Sequence, residues 1–134
     1  MRTLDDKILV SGQVSPADVP ALAAAGIGMI VNNRPDDEDP GQPASAEIAA
    51  AAQAAGIAYR HIPIAGGFNM DDVLAMAAAL DEAEGKVLAF CRVGARSTFL
   101  WALAQSERGV PADELAQKAA AAGYDLTPIR PYLS

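Results

Sequence analysis

Lys86-Val87-Leu88-Ala89-Phe90-Cys91-Arg92-Val93-Gly94-Ala95-Arg96-Ser97 is the stretch that decides the fold of this chain. Residues 87–90 have the apolar character of a buried parallel strand, and residues 97–108 place Phe99, Leu100, Leu103 and Ala104 at helical spacing. The cysteine, the only one in 134 residues, therefore stands where a strand ends and a helix begins.

That junction has chemical consequences. A loop entering a helix aims unpaired backbone N–H groups at one point, and the helix dipole adds partial positive charge there. Arg92, Val93, Gly94 and Ala95 supply the loop, and Gly94 permits backbone angles that turn the amides inward. Arg96 offers a planar fork for an oxyanion, which a lysine does not. A thiol in that field ionises readily, and the thiolate is the reactive form. Cys91 is thus the candidate nucleophile, in preference to a small buried hydrophobe, and Arg96 the candidate anion holder. Ser97 has two readings: a helix cap, or a hydroxyl donating to the Cys91 sulfur.

Working outward, elements alternate. Residues 8–10 read as a strand, and a helix capped by Ser15 starts at Pro16 and stops at Gly26. Residues 27–32 are the next strand, followed by a polar loop to Pro43, an alanine-rich helix over 44–55, and a strand over 57–62 ended by Pro63. Asn69 is expected to cap a helix running to about Glu84, with Asp71 and Asp72 in its first turn. Pro111 opens a last helix ending at Gly123, and residues 125–134 read as a surface strap in which Arg130 is solvated. This pattern predicts an α/β fold, a mainly parallel sheet covered by helices on both faces, organised as one domain over residues 1–134. Ligands of such sheets sit beyond the carboxyl ends of the strands, where Cys91, the loop after Asn32 and the loop after Ile62 all fall.

Composition narrows the class. At 51% hydrophobic the chain can bury a real core, and its net charge of −7 argues against nucleic acid or an anionic membrane as partner. No stretch of about twenty apolar residues exists, and Met1-Arg2-Thr3-Leu4-Asp5-Asp6-Lys7 lacks the core of a signal peptide, so a cytoplasmic location is expected. No cluster of Cys or His has metal spacing, and neither metal nor cofactor is expected. Of the residues after Asn32, Arg34 is the best substrate-binding candidate because it leaves the strand directly. Asp36, Asp37, Glu38 and Asp39 either form a solvated turn or include one that positions substrate or pairs with Arg96. His61, the only histidine, is expected to be structural, and Trp101 to lie in the core.

Cys91-Arg92-Val93-Gly94-Ala95-Arg96-Ser97 resembles the active-site loop of rhodanese-type sulfurtransferases, with four residues between Cys and Arg; protein tyrosine phosphatases have five. Val10-Ser11-Gly12-Gln13, Val31-Asn32-Asn33-Arg34-Pro35-Asp36-Asp37-Glu38 and Tyr59-Arg60-His61-Ile62-Pro63-Ile64, with the cysteine loop and Trp101, resemble the phosphatase-like domain of beta-lactamase-hydrolase-like proteins, also described as a sulfur transferase. The resemblance implies a protein tyrosine phosphatase-like fold and a small anionic substrate, either a sulfane-sulfur donor or a phosphoester, with a thiol acceptor where sulfur is passed on. Many related phosphatases place an aspartic acid just after the Ile-Pro strand to protonate the leaving alcohol; here Ala65-Gly66-Gly67-Phe68 stands in that region. The short loop and missing acid put sulfur transfer through a Cys91 persulfide first. Phosphoester hydrolysis through a phosphocysteine is the alternative, and a non-catalytic sensor of anions or sulfur species is third.

Overall fold

Four short segments pair side by side and run in one direction, three of them rich in Ile, Val, Leu and Met and the fourth, Ala58-Tyr59-Arg60-His61, a more polar edge. The computed structural model describes residues 1–134, with strands β1 (Arg2–Thr3), β2 (Ile8–Ser11), β3 (Ile27–Asn32), β4 (Ala58–His61) and β5 (Lys86–Phe90) in the spatial order β1-β2-β5-β3-β4. Only β1 is antiparallel. The helices are α1 (Val19–Ala24), α2 (Ser45–Ala54), α3 (Met70–Glu82), α4 (Ala95–Glu107) and α5 (Ala112–Ala121).

Side-chain alternation divides the strands between two cores. Ile8, Val10, Met29, Val31, Val87 and Ala89 pack with Val73 and Met76 of α3, Leu100 and Trp101 of α4, and Leu115 of α5. On the other face Ile27, Ile30, Leu88 and Phe90 meet Val19 and Leu22 of α1 and Ile48 and Ala52 of α2. Each fully buried side chain of this size stabilises the fold by roughly 1.5–3 kcal/mol, so the sheet is clamped from both sides as the alternating pattern predicts. Trp101 lies in the core as expected.

One irregularity sets the phase of β3. Ile27 pairs with Lys86 and Met29 with Val87, leaving Gly28 as an extra residue. A Cβ at Gly28 would stand 1.7 Å from the Glu84 carbonyl oxygen, so only glycine fits. Because of this bulge Ile27 and Ile30 share one core while Met29 joins the other.

At the carboxyl end the strands finish in a straight row. Ser11 pairs with Phe90, Phe90 with Asn32, and Asn32 with His61. The next residues, Gly12, Cys91, Asn33 and Ile62, therefore leave the sheet at one level.

The structure differs from the sequence reading at several ends. The segment from Pro16 begins as a 3-10 turn, Pro16–Asp18, with α1 starting only at Val19; Pro20 has no N–H to donate back to Pro16 and fits only in the first turn of α1, so the α-helix does not extend back through Pro16. The α3 helix stops at Glu82 because Ala83 is extended. The α4 helix starts two residues early, at Ala95, directly after Gly94. The tail is more than a strap: Thr127–Tyr132 forms a 3-10 helix, and Leu126 and Ile129 are buried. Arg130 is partly exposed and paired with Asp113. No helix is long and apolar enough to cross a membrane.

Candidate active site

Cys91 follows β5, and its N–H donates to the Ser11 carbonyl at 3.3 Å, continuing the sheet by one residue. The chain then turns through Arg92, Val93 and Gly94, the last with φ +91° as the N-cap of α4. That left-handed conformation favours glycine. Gly94 N–H donates to Cys91 Sγ at 3.1 Å, while its carbonyl accepts from Thr98 N–H at 3.0 Å and the Thr98 hydroxyl at 2.8 Å. Ala95, Arg96 and Ser97 precede the first helical donor, so their amides add to the positive end of α4. Gly12 makes room on the other side, since a Cβ there would come 2.9 Å from the Arg92 carbonyl oxygen. Cys91 is 0% exposed. It is buried as a small hydrophobe would be, yet its sulfur accepts a hydrogen bond from the loop.

Arg96 is fixed by three of its five N–H groups. Nη1 donates to Glu38 Oε2 and to the Ile64 carbonyl, both at 2.8 Å, and Nη2 donates to Glu38 Oε1 at 2.9 Å. No protein oxygen accepts from Nε or from the second Nη2 N–H, which together form the other edge of the guanidinium. The Glu38 hydrogen bonds chiefly, and the charge of Cys91 nearby, hold Arg96 more firmly protonated than usual. Reciprocally, the Arg96 hydrogen bond is the main cause that keeps the Glu38 carboxyl below its ordinary range, Arg34 adding to it and burial opposing.

Arg34 sits behind this pair rather than in front of it. It is 4% exposed, and its guanidinium donates to Glu38 Oε1 and Gln13 Oε1, each at 2.9 Å, and to Asp39 Oδ2. The sequence reading offers Arg34 to the substrate; the structure commits it to the acidic loop, which it holds in place because a buried guanidinium needs partners. Of the acids in that loop, Glu38 pairs with Arg96, Asp39 reaches Arg92 Nε at 3.4 Å, and Asp36 accepts from Ser45 N–H at 2.7 Å at the start of α2. Arg34, Arg92 and Arg96 thus share two carboxylates, Glu38 and Asp39, in one connected network.

Ser97 follows neither of its two expectations. Gly94 occupies the cap, and the buried Ser97 hydroxyl donates to Asn33 Oδ1 at 2.8 Å instead of to sulfur. Asn33 is the tie of the site: Nδ2 donates to the Ile62 carbonyl at 3.0 Å, and its backbone N–H and C=O bond Phe90 O at 2.8 Å and Ile64 N–H at 3.0 Å. His61 is structural as expected, with Nε2 2.9 Å from the Arg34 carbonyl oxygen. Asn69 caps α3 and Asp72 closes the reciprocal box. Arg92 and Val93 are exposed, and Ala95 opens α4.

Three residues escape the sequence reading: Gln13, Asn33 and Tyr124. The first two lie in family-like segments, and only the row of strand ends shows that they converge. Tyr124, beyond the last helix, carries no local signal at all.

Residues 1–108 match the family model described as beta-lactamase hydrolase-like protein, phosphatase-like domain. A beta-lactamase hydrolase-like protein of Agrobacterium fabrum is 35% identical over 125 residues, 92% of this chain; the chain spans 29% of that relative's length. A Neisseria meningitidis crystal structure, described as a candidate phosphatase, superposes with a TM-score of 0.83 at 35% identity, covering 97% of this chain and 93% of that one. Pseudomonas aeruginosa TpbA, solved in complex with phosphotyrosine, shares the fold at 18% identity, with a TM-score of 0.61 over 85% of this chain and 67% of its own. The parallel sheet with helices on both faces is thus protein tyrosine phosphatase-like. With that fold and a matching family model over four-fifths of its length, the chain belongs to the phosphatase-like domains of beta-lactamase hydrolase-like proteins.

Proposed function

We propose that this chain is a cysteine-dependent phosphoester hydrolase. The Cys91 thiolate attacks phosphorus and displaces the alcohol, and water then attacks the phosphocysteine to release phosphate and regenerate the thiolate. The observation that carries this reading is the state of Arg96: Glu38 and Ile64 hold three N–H groups, Nε and one Nη2 N–H have no protein oxygen, and the guanidinium lies close enough to Cys91 to feel its charge. A prepaid fork of that kind stabilises the equatorial oxygens of a phosphoryl group without reorganising during the reaction. Gly94 N–H and the first amides of α4 add to it. Arg92 and Val93, at the rim, meet the rest of the substrate. Because Cys91 is fully buried, turnover requires the groups above it to part.

No carboxylic acid follows Ile64 closely, and Asp72 is engaged in capping α3. A general acid contributes typically about 10²–10⁴ in rate, so aryl phosphates with acidic phenols, whose leaving groups need little help from a proton, are the better substrates. The same two features, a four-residue loop and no acid, favour sulfur transfer through a Cys91 persulfide as the second reading. The phosphatase-like family and fold support phosphoester chemistry, and for that reason it is our first reading.

The test is hydrolysis of p-nitrophenyl phosphate, run beside intact-mass measurement of the reduced protein after exposure to thiosulfate, with Cys91→Ser as control. Nitrophenol release that vanishes in Cys91→Ser, without added sulfur, is expected. A gain of one sulfur atom discharged by cyanide, with no phosphatase activity, would put sulfur transfer in its place.

A further inference from the structure

The peptide unit joining Val93 to Gly94 has a partner at each end. Its N–H donates to Cys91 Sγ at 3.1 Å, and its carbonyl oxygen accepts from the Tyr124 hydroxyl at 3.2 Å. The chain has no cis peptide bond, and in a planar trans unit N–H and C=O point in opposite directions. Fixing the carbonyl therefore fixes where the N–H points. Gly94 makes the arrangement possible twice over: it adopts φ +91°, and a Cβ there would come 2.2 Å from the Tyr124 hydroxyl oxygen. It also makes the arrangement easy to lose, because glycine accepts either sign of φ at little cost and the unit is free to rotate unless something holds it.

Tyr124 is delivered to the loop by the end of α5. Gly123, at φ +93°, donates to the Ala120 carbonyl at 3.0 Å, and Tyr124 N–H donates to the Ala119 carbonyl at 2.9 Å. This pair of bonds is a Schellman ending, which sets the direction in which the next side chain leaves. Tyr124 lies outside the residues matched to the family model.

We propose that Tyr124 is a positioning residue for Cys91, its hydroxyl clamping the Val93–Gly94 peptide so that the Gly94 N–H stays on the sulfur and stabilises the thiolate. The clamp rests on the reading of Cys91 as nucleophile and not on which anion it attacks. Burial chiefly, and the negative charge of Cys91 next, raise the Tyr124 hydroxyl above its ordinary pKa, with Arg2 pulling the other way. The hydroxyl therefore stays protonated, and a donor, beyond the ordinary tyrosine range. Arg96 lies close enough to feel the charge of Cys91 and is paired with Glu38, which Arg34 also holds, while Arg34 and Arg92 pair with Asp39; none of these groups bonds the Tyr124 hydroxyl, so removing it leaves them in place.

The experiment is the pH dependence of Cys91 alkylation by iodoacetamide in the unsubstituted protein and in Tyr124→Phe, with thermal melting to verify that the variant is folded. Loss of one hydrogen bond is expected to move the midpoint upward and to slow alkylation on the acid side by about three- to tenfold, leaving the plateau at high pH unchanged. A folded Tyr124→Phe with an unmoved midpoint overturns the clamp. If Tyr124→Phe does not fold, amide NMR of the unsubstituted protein decides: the Gly94 N–H must shift in step with Cys91 ionisation, and an unresponsive Gly94 overturns it. Alkylation needs no substrate. A Tyr124-dependent profile in a protein that hydrolyses no phosphoester would sink the hydrolase and spare the clamp, and hydrolysis with an unmoved profile would do the reverse.

Discussion

Ile30 and Asn33 lie three residues apart along and just beyond β3, and both are fully buried, yet they are held differently. Ile30 rests among Val19, Ile48, Leu88 and the rest of an apolar cluster, where any neighbour of similar volume serves. Asn33 has a named partner for each polar end of its side chain: Ile62 O for the amide nitrogen and the Ser97 hydroxyl for the oxygen. The sheet interior is therefore specified by volume, and its carboxyl edge atom by atom. Substitutions at the edge should cost more than substitutions of equal size inside, and should cost activity as well.

The largest effect is expected at the edge's functional end. Arg96→Lys exchanges a fork held by three hydrogen bonds for a point charge, and kcat/KM for p-nitrophenyl phosphate should fall by about 10²–10³, the scale of losing one oxyanion-holding group. An unchanged rate would make Arg96 structural. Asn33→Ala comes next: it strands the Ser97 hydroxyl and the Ile62 carbonyl, and urea unfolding should register a loss of about 3 kcal/mol. Glu38→Gln keeps the shape but weakens the grip on Arg96, for a fall of about tenfold in kcat/KM, given the ~1.5–3 kcal/mol of a hydrogen bond to a charged group. The smallest effect belongs to the interior, where Ile30→Val should cost about 1 kcal/mol and leave kcat/KM unaltered. If Ile30→Val costs as much as Asn33→Ala, the contrast between the two regions collapses.

Acid sharpens the same contrast. Glu38 ionises below the ordinary glutamate range in the folded protein, chiefly through Arg96. Its stabilisation is therefore complete above the unfolded value, near pH 4.3, and fades as pH falls through the lower folded value. Melting temperatures recorded from about pH 6 down to 3 should drop more steeply in the unsubstituted protein than in Glu38→Gln, which lacks that titration.

Much of this architecture is legible from local pattern. The strands around 27–32 and 86–90 announce themselves by apolar runs, and α3 by Asn69 with its acidic first turn. Cys91 and Arg96 are legible because chemistry, spacing and a strand-to-helix junction coincide. The two-residue β1 is too short for any period to appear, and Pro20 shortens α1 through a missing donor that periodicity does not register. Within the acidic loop, nothing in the sequence distinguishes Glu38 from Asp36, Asp37 or Asp39; the choice is made by where the loop folds back over Arg96. Ser97 misleads for a related reason. Its neighbours in sequence are the loop, but its partner is 64 positions away.

The bulge at Gly28 bears on how distant members of such a family are aligned. An alignment treats a one-residue gap in a strand as local, but a strand alternates its faces, so the gap must be absorbed at one end or the other. Losing Gly28 would either swing Ile27 out of the core it shares with Ile30 or exchange the faces on which Asn32 and Asn33 stand. In the second case Ser97 and Ile62 lose their partner, at the opposite pole of the strand from the deletion. A homologue with a gap at this position therefore carries either a repacked start of the strand or a different carboxyl edge, however well its cysteine loop aligns.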